Sequence, residues 1–303
     1  MFIKGEVILF SSLTAFIFSF IICPSYGVSP TCSNIDKLDE VEKWAIVLDY
    51  DEENHLIDKE TLRSFDMVVL DPDNHPDITT LKKDHLILLA YISVGEAENY
   101  RFYWDQIQDK PWVLEENADW EGNFFVDVRD PEWRKLLIEE VIPKIVEQGF
   151  QGLFLDTIDT AVYLEEKSSE EFDGSLEAMV SLVGDIHQAF PKLMLLSNNG
   201  FEILEKIAPF LSGLIVEDIN MMIDFENDSY KPVSPKDRAY KIGILKPLMD
   251  KYGFSVFNID YVPQSNRKLI RQSIRESRRL KFKPYVAEAR LADIYNQYDQ
   301  GKD

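Results

Sequence analysis

The chain has 303 residues and carries 54 acidic against 32 basic side chains, for a formal net charge of −22. Such an excess argues against nucleic acid or an anionic membrane surface as a partner, whereas it is compatible with a cationic polymer as substrate and with plain solubility. Only two cysteines are present, and Cys23 falls in an N-terminal segment predicted to be removed, so no disulfide within the mature chain is expected.

Residues 1–27 have the pattern of an export signal. Lys4 precedes an apolar stretch over 7–23, and the small residues that follow favour cleavage after Gly27. An uncleaved membrane anchor is the alternative, because the apolar stretch is about as long as a short transmembrane helix. In either case we expect the protein to be secreted, or to lie in the periplasm or cell envelope, with membrane contact only through this segment.

Eight short apolar runs then alternate with longer amphipathic stretches, which is typical of repeated βα units. The predicted strands are 44–50, 67–71, 86–93, 152–156, 193–198, 213–217, 255–260 and 283–286. The predicted helices are 59–64, 131–148, 175–189, 201–207, 235–252 and 266–280.

This alternation predicts an α/β fold, a single (β/α)8 TIM-type barrel over residues 44–303 that follows an N-terminal lead-in at 28–43. A length of about 250 residues is typical of that fold. A doubly wound open sheet is the alternative, weakened because no glycine-rich phosphate loop follows any strand.

Polar side chains lie at or just after the ends of seven predicted strands, where a barrel would have its mouth. They are Asp49, Tyr50, Asp71, Tyr91, Ser93, Glu96, Asp156, Asn198, Asn199, Glu217, Asp218, Asp260 and Tyr261. Acids at the carboxyl ends of barrel strands are characteristic of catalytic sites. Asp156 stands out because it directly follows the apolar run 153–155, although an N-cap for the next helix would also place an acid there. Asp159 is expected to have a supporting or capping role.

The stretch 95–130 is too long for an ordinary βα loop and is rich in aromatic residues. Tyr103 and Trp104 lie near the third strand and are predicted to stack on a ligand. For Trp112, Trp120 and Trp133, packing of the loop onto the scaffold and ligand contact are equally compatible with the sequence.

The four histidines lie away from the strand ends, so neither a Ser-His-Asp arrangement nor a zinc site is indicated, and no cofactor or metal is predicted. Paired carboxylates beside aromatic and amide groups are the equipment of glycoside hydrolysis, in which the distance between the carboxylates separates retention from inversion. Two alternatives stay open: a glycan-binding barrel without catalysis, and a hydrolase that binds a divalent metal through oxygen ligands alone.

Three segments, 90–101, 122–131 and 149–161, resemble glycoside hydrolase family 114, the endo-α-1,4-polygalactosaminidase family, over most of the span 44–286. The resemblance implies a TIM-type barrel acting on α-1,4-linked galactosamine polymers, with Asp156 as the nucleophile and Glu217 as the acid/base. It therefore implies a secreted glycoside hydrolase that cleaves an amino-sugar polysaccharide. Such a polymer would be cationic, which gives the negative charge of the chain a physical partner.

Overall fold

A computed structural model of the chain describes residues 32–50, 57–81, 85–224, 226–227 and 229–295. The predicted export signal at 1–27 lies outside these residues. Among the helices within these ranges, none has the length and apolar character needed to cross a membrane.

The predicted barrel is confirmed. Eight parallel strands form one sheet in which each strand pairs with the next along the chain. They are β1 (Trp44–Val47), β2 (Met67–Leu70), β3 (Ile87–Ser93), β4 (Gly152–Asp156), β5 (Met194–Asn198), β6 (Gly213–Glu217), β7 (Val256–Tyr261) and β8 (Lys283–Ala287). All are buried along nearly their whole length, as expected for strands covered on both faces.

Side chains bring the first and last strands together into a nearly closed barrel. The indole Nε1 of Trp44 donates to the carbonyl of Lys283 at 3.2 Å, and the hydroxyl of Tyr285 donates to the carbonyl of Ile46 at 3.3 Å. The ammonium group of Lys283 also donates to the carbonyl of Asp39 at 2.8 Å. The lead-in therefore serves to fasten the seam between β8 and β1.

Helices separate the strands at most of the predicted positions. They run over Cys32–Asp39, Lys59–Leu62, Ile78–Leu81, Trp104–Ile107, Pro131–Leu136, Ile142–Gln148, Thr160–Lys167, Ser175–Ala189, Leu204–Ile207, Pro235–Tyr252 and Arg267–Arg279, with a π-helix at Leu137–Val141 and a 3-10 helix at Ala208–Phe210.

The predicted helix 131–148 is interrupted by its π-helical turn. Asp130 caps the helix as predicted, accepting the backbone N–H of Glu132 at 2.8 Å, and Gly149 ends it with a φ of 103°. Pro143 lies just beyond the wide turn and offers no N–H to the preceding turn, which accounts for the local change in winding.

The long stretch between β3 and β4 is a small antiparallel sheet, which the sequence reasoning did not predict. Its strands are Glu96–Glu98, Val113–Glu116 and Asn123–Val126. The last of these lies in the centre of the sheet and pairs with the other two, which form its edges. Residues 96–126 are named the arm below. A second unpredicted hairpin, Met221–Asp224 with Ser229–Pro232, follows β6.

Candidate active site

A cleft of about 920 Å³ lies at the carboxyl ends of the barrel strands, and the arm forms one of its walls. Nine of the residues predicted for the site line it: Asp49, Asp71, Tyr91, Glu96, Asp156, Asn198, Asn199, Glu217 and Tyr261. These residues come from β3 to β7, the arm and the loops after β1 and β2, so the barrel register gathers side chains that are far apart in sequence.

One amide holds the two principal carboxylates together. The Nδ2 of Asn198 donates to Oδ1 of Asp156 at 2.8 Å and to Oε1 of Glu217 at 2.7 Å. Because Oδ1 of Asp156 and Oε1 of Glu217 accept hydrogen bonds from the same nitrogen, these two oxygens lie no farther apart than about 5.5 Å, the sum of the two distances. The helix-capping interpretation of Asp156 is wrong, since its carboxylate binds across the cleft to Asn198 rather than to the next helix.

Glu217 is surrounded by groups that act in opposite directions on its proton. Burial, followed by the negative charge of Asp156, raises the pKa of Glu217 to about 7, while hydrogen bonds from Asn198 and Tyr261 work against this rise. The Tyr261 hydroxyl donates to Oε2 at 2.9 Å. The backbone N–H of Glu217 donates to Oδ1 of Asn199 at 3.0 Å. At neutral pH this side chain can therefore both release and accept a proton.

The residue after each of the three central strand ends has a left-handed backbone. Thr157, Asn199 and Asp218 have φ values of 59°, 46° and 59°, and they follow Asp156, Asn198 and Glu217. This conformation is unfavourable for a β-branched residue such as threonine. Backbone strain of this kind collects at functional sites, where the surrounding structure enforces it.

The backbone after Glu217 is fixed by a lysine from the helix Pro235–Tyr252. The ammonium group of Lys241 donates to the carbonyls of Glu217 and Asp218, each at 3.0 Å. Burial and the neighbouring Glu217 raise the pKa of Asp218 to about 8, with Lys241 opposing the shift. Asp218 does not line the cleft, so its contribution is to the loop rather than to a ligand.

Arg101 organises the other side of the cleft, a role that sequence reasoning missed. Its guanidinium binds both oxygens of Asp71, at 2.8 and 2.6 Å, and donates to Glu98 at 2.7 Å and to Asp73 at 2.9 Å. Asp71 and Glu98 line the cleft, whereas Arg101 is buried behind it. Asp71 is therefore held in place by the arginine. The sequence signal that could have pointed to Arg101 was its place in the Tyr100-Arg101 pair after the third strand.

Glu96 is a third buried carboxylate beside the central pair. It accepts hydrogen bonds from Asn117 at 3.1 Å, Asn123 at 3.4 Å and Thr160 at 3.2 Å. Burial raises the pKa of Glu96, and the charge of Asp156 adds to the rise, while the amide and hydroxyl donors oppose it. Glu96 thus connects the arm to the helix Thr160–Lys167 at the mouth of the barrel.

Asp159 also lines the cleft, but it does not cap the helix Thr160–Lys167 that it precedes. It occupies the N-cap position, and its side chain makes no capping hydrogen bond. The capping role predicted for this residue is therefore wrong, while its place at the mouth of the barrel agrees with a supporting one.

Asp260 lies outside the cleft, contrary to the prediction. Successive side chains of a strand point to opposite faces, so Asp260 and Tyr261 cannot both face the mouth. The Tyr261 hydroxyl reaches Glu217, whereas Asp260 is fully buried and accepts the backbone N–H groups of Ile219, Asn220 and Met221. Asp260 therefore anchors the loop that follows Glu217.

Four other predicted ligand contacts are also outside the cleft lining. Tyr103 is buried against Trp133 of the helix Pro131–Leu136, with ring centroids 6.0 Å apart, which fixes the arm to the barrel, whereas Trp104 packs on Phe124 at 4.6 Å within the arm. Ser93 donates to the carbonyl of Glu96 at 2.8 Å. Tyr50 packs against the core. Ser93 and Tyr103 instead border a smaller cavity of about 230 Å³.

The three tryptophans left open by the sequence have different roles. Trp112 and Trp133 are buried with their ring centroids 5.8 Å apart, so both pack the arm. Trp120 is 49% exposed and lines the cleft. Tyr100 and Tyr163, which were not predicted, are also exposed and line it.

The cleft is strongly acidic. The carboxylates on its surface are Asp49, Asp71, Glu96, Glu98, Glu115, Glu116, Asp119, Glu121, Asp156, Asp159 and Glu217. Arg290 is the basic residue among the described residues that line it. No three His, Cys, Asp or Glu side chains within the described ranges are arranged to hold a metal ion.

The sequence matches glycoside-hydrolase family GH114 over residues 30–302. An uncharacterized protein of Methanocaldococcus jannaschii is 30% identical over 273 residues, which cover 81% of this chain and 75% of that protein.

Two solved structures have the same barrel. The glycoside hydrolase domain of PelA from Pseudomonas aeruginosa has 27% identity and a TM-score of 0.72, covering 84% of this chain and 99% of that one. Ega3 from Aspergillus fumigatus, solved in complex with galactosamine, has 15% identity and a TM-score of 0.63, covering 84% of this chain and 93% of that one.

Proposed function

This chain belongs to glycoside-hydrolase family GH114 and is a glycoside hydrolase, and from that premise we propose that it cleaves an α-linked, amine-bearing polysaccharide similar to polygalactosamine. Asp156 acts as the nucleophile and Glu217 as the general acid and base. The observation that carries the assignment is the single amide of Asn198, which binds both carboxylates at the centre of the acidic cleft.

In the first step, protonated Glu217 gives its proton to the glycosidic oxygen as the bond to the anomeric carbon breaks. The carboxylate of Asp156 forms a covalent bond to that carbon, and the shortened polymer leaves. Glu217, now ionised, takes a proton from a water molecule, which attacks the anomeric carbon and releases Asp156. Both carboxyl groups return to their starting states, so the cycle balances.

The short distance between the two carboxylates favours retention of configuration. Retaining enzymes hold the two carboxyl groups about 5 to 5.5 Å apart, whereas inverting enzymes need about 6.5 to 9.5 Å for an intervening water. The nearest oxygens of Asp156 and Glu217 lie within about 5.5 Å because both are bonded to Asn198. A pKa of about 7 for Glu217 suits a group that must give and then recover a proton near neutral pH.

The charge of the cleft supports an amino-sugar substrate. Opposite charges attract most strongly where a cleft excludes part of the solvent, and a field of one sign raises the local concentration of a ligand of the opposite sign. Eleven carboxyl groups line the cleft, and Arg290 is the basic group of its lining within the described residues. Asp71 and Glu98 are paired with Arg101, and Glu115 with Lys167, so an excess of negative charge remains on the other eight. A polysaccharide with protonated amines fits this field, whereas an acidic polysaccharide would be repelled.

The test uses residues 28–303 with partially deacetylated poly-α-1,4-galactosamine, measuring new reducing ends over time. We expect Asp156→Asn and Glu217→Gln each to lower kcat by at least about 100-fold, with the melting temperature retained. Glu140, which is exposed in the π-helix Leu137–Val141, gives the matched control, Glu140→Gln, which should leave kcat unchanged. Turnover at the wild-type rate in either catalytic variant would refute the assignment.

We also propose that the enzyme works outside the cytoplasm, on the basis of the signal pattern in residues 1–27. Expression of the full chain followed by cell fractionation and N-terminal sequencing tests this. A mature protein that starts at Val28 supports a cleaved signal, and an intact Met1 in the membrane fraction supports an anchor. An intact chain in the cytoplasm would contradict export.

A further inference from the structure

The tip of the arm, residues 117–123, presents an aromatic ring to the cleft away from the catalytic pair. Solvent exposure increases from the base of the arm to its tip. Glu96 is 4% exposed, its hydrogen-bond partner Asn117 is partly buried, and Trp120 is 49% exposed. Trp120 nevertheless lines the same cleft as Asp156. The exposed part of an indole in a cleft is an apolar surface that a sugar ring can contact.

The arm tip is held in one conformation by its own hydrogen bonds. The backbone N–H of Trp120 donates to the carbonyl of Asn117 at 3.2 Å, and the N–H of Asn123 donates to the carbonyl of Trp120 at 3.1 Å. The N–H of Asn99 donates to the carbonyl of Gly122 at 2.8 Å, which ties the tip to the neighbouring strand. Gly122 has a φ of 87°, and a Cβ there would lie 2.8 Å from the Asn99 side chain. A ring on such a support loses little entropy on binding a ligand.

Carboxylates flank the exposed ring. Asp119 and Glu121 are its sequence neighbours, are exposed, and line the cleft with it. Glu115, at the base of the hairpin, is instead paired with Lys167. The tip thus combines an aromatic face with negative charge on either side, an arrangement that matches a sugar ring with an apolar face and a protonated amine.

Resting on the function proposed above, we infer that the arm tip is an additional sugar-binding subsite. Trp120 stacks on one face of an amino-sugar residue, and Asp119 or Glu121 pairs with its ammonium group. The subsite binds a residue of the polymer remote from the bond that is cleaved, so it contributes to the affinity for long chains and not to the chemistry.

The first test compares kcat/KM on short and long substrates. With α-1,4-linked galactosamine oligomers, we expect Trp120→Ala to lower kcat/KM on an octamer about tenfold and to change it less than about twofold on the shortest oligomer cleaved. Tyr240 is 51% exposed and lies outside the cleft lining, so Tyr240→Ala is the matched control and should change neither value. Equal losses on both substrates, or no loss on either, would overturn the inference.

The second test isolates the charge. We expect the double variant Asp119→Asn/Glu121→Gln to lower kcat/KM on the octamer at low ionic strength, with most of the difference gone at about 0.5 M salt because exposed charges are then screened. The control Glu140→Gln/Glu147→Gln has the same change in net charge at two exposed residues of the segment 137–148, outside the cleft lining, and should have no such effect. A salt-independent loss, or a loss shared by the control, would contradict pairing with the amine.

A binding measurement separates this inference from the proposed catalytic function. The dissociation constant of the octamer is measured by calorimetry for Glu217→Gln with and without Trp120→Ala. If the wild type fails to hydrolyse the polymer but Trp120→Ala weakens binding about tenfold, the subsite holds and the proposed reaction fails. If hydrolysis occurs and Trp120→Ala changes neither binding nor kcat/KM, the reaction holds and the subsite is refuted.

Discussion

Replacing Asn198 with alanine should slow the reaction and yet extend it to higher pH. Asn198 donates to Asp156 at 2.8 Å and to Glu217 at 2.7 Å. The bond to Glu217 favours its ionised form, so removal raises the pKa of Glu217 above its present value of about 7. Because a general acid must be protonated, activity is lost as the pH rises through that pKa. The alkaline limb of the profile therefore moves upward.

The magnitude follows from the two hydrogen bonds. A hydrogen bond to a charged group is worth about 1.5 to 3 kcal/mol, and one pH unit corresponds to about 1.4 kcal/mol, so the alkaline limb should move up by about one pH unit. Loss of both bonds also releases the carboxylates from their common donor. A cost of about 3 kcal/mol in the transition state lowers kcat by about 100-fold.

The assay is kcat/KM measured from about pH 5 to pH 9 on one defined oligomer, because kcat/KM reports the ionisation of the free enzyme. Tyr261→Phe is the matched comparison, since it removes a 2.9 Å bond to Glu217 and leaves Asp156 bound to Asn198. It should raise the alkaline limb similarly with a smaller loss of kcat. An alkaline limb that stays in place or moves downward in Asn198→Ala would refute this account of Glu217.

Three further predictions concern stability. Arg101→Met leaves the buried carboxylates of Glu98 and Asp71 without their cation, and should lower the free energy of unfolding by about 3 to 5 kcal/mol in urea titrations. A loss below about 1 kcal/mol would contradict a stabilising role for these ion pairs. The pKa values of Glu217 and Asp218 are raised from 4.5 and 3.8 to about 7 and 8, so the folded state binds these two protons more tightly than the unfolded state does. The melting temperature should therefore fall as the pH rises from the ordinary pKa values through the raised ones. Asp218→Asn should make this fall shallower, and a melting temperature that rises with pH would contradict the assignment. Asp260→Asn weakens the hydrogen bonds that hold the loop after Glu217, and should lower the free energy of unfolding by about 3 kcal/mol. It should also lower kcat more than it changes KM. A loss of stability with an unchanged kcat would limit Asp260 to a structural role.

The barrel could be predicted because each strand is a short apolar run, and a polar residue lies at or just after the end of seven of the eight. β4 and β6 have the predicted bounds, and the other six differ by a few residues at their ends, where hydrogen bonding rather than hydrophobicity decides. The helix 131–148 shows the limit of this reasoning. Its caps were visible in Asp130 and Gly149, but the π-turn depends on how Pro143 packs within the helix.

The central pair of the site could be predicted from the barrel register together with the family resemblance, whereas its surroundings depend on tertiary contacts. Arg101 and Asp71, which form an ion pair, are 30 positions apart in the sequence. Arg101 belongs to the arm, whose antiparallel sheet could not be predicted from the hydrophobic periodicity of the sequence. Asp260 was placed on the wrong face because its neighbour Tyr261 was assigned to the same mouth, although a strand alternates its side chains. Nearness to β3 favours Trp104 over Trp120 as a ligand contact, yet Trp120 lines the cleft and Trp104 packs on Phe124.

The anomeric configuration of the first product tests the central claim most directly. Proton NMR of the wild-type enzyme acting on a galactosamine oligomer, recorded before mutarotation, shows which anomer is released. With Asp156 as nucleophile and with Glu217, whose oxygen lies within about 5.5 Å of it, as acid and base, an α-linked substrate must first give the α-anomer. Initial release of the β-anomer would contradict a covalent intermediate on Asp156.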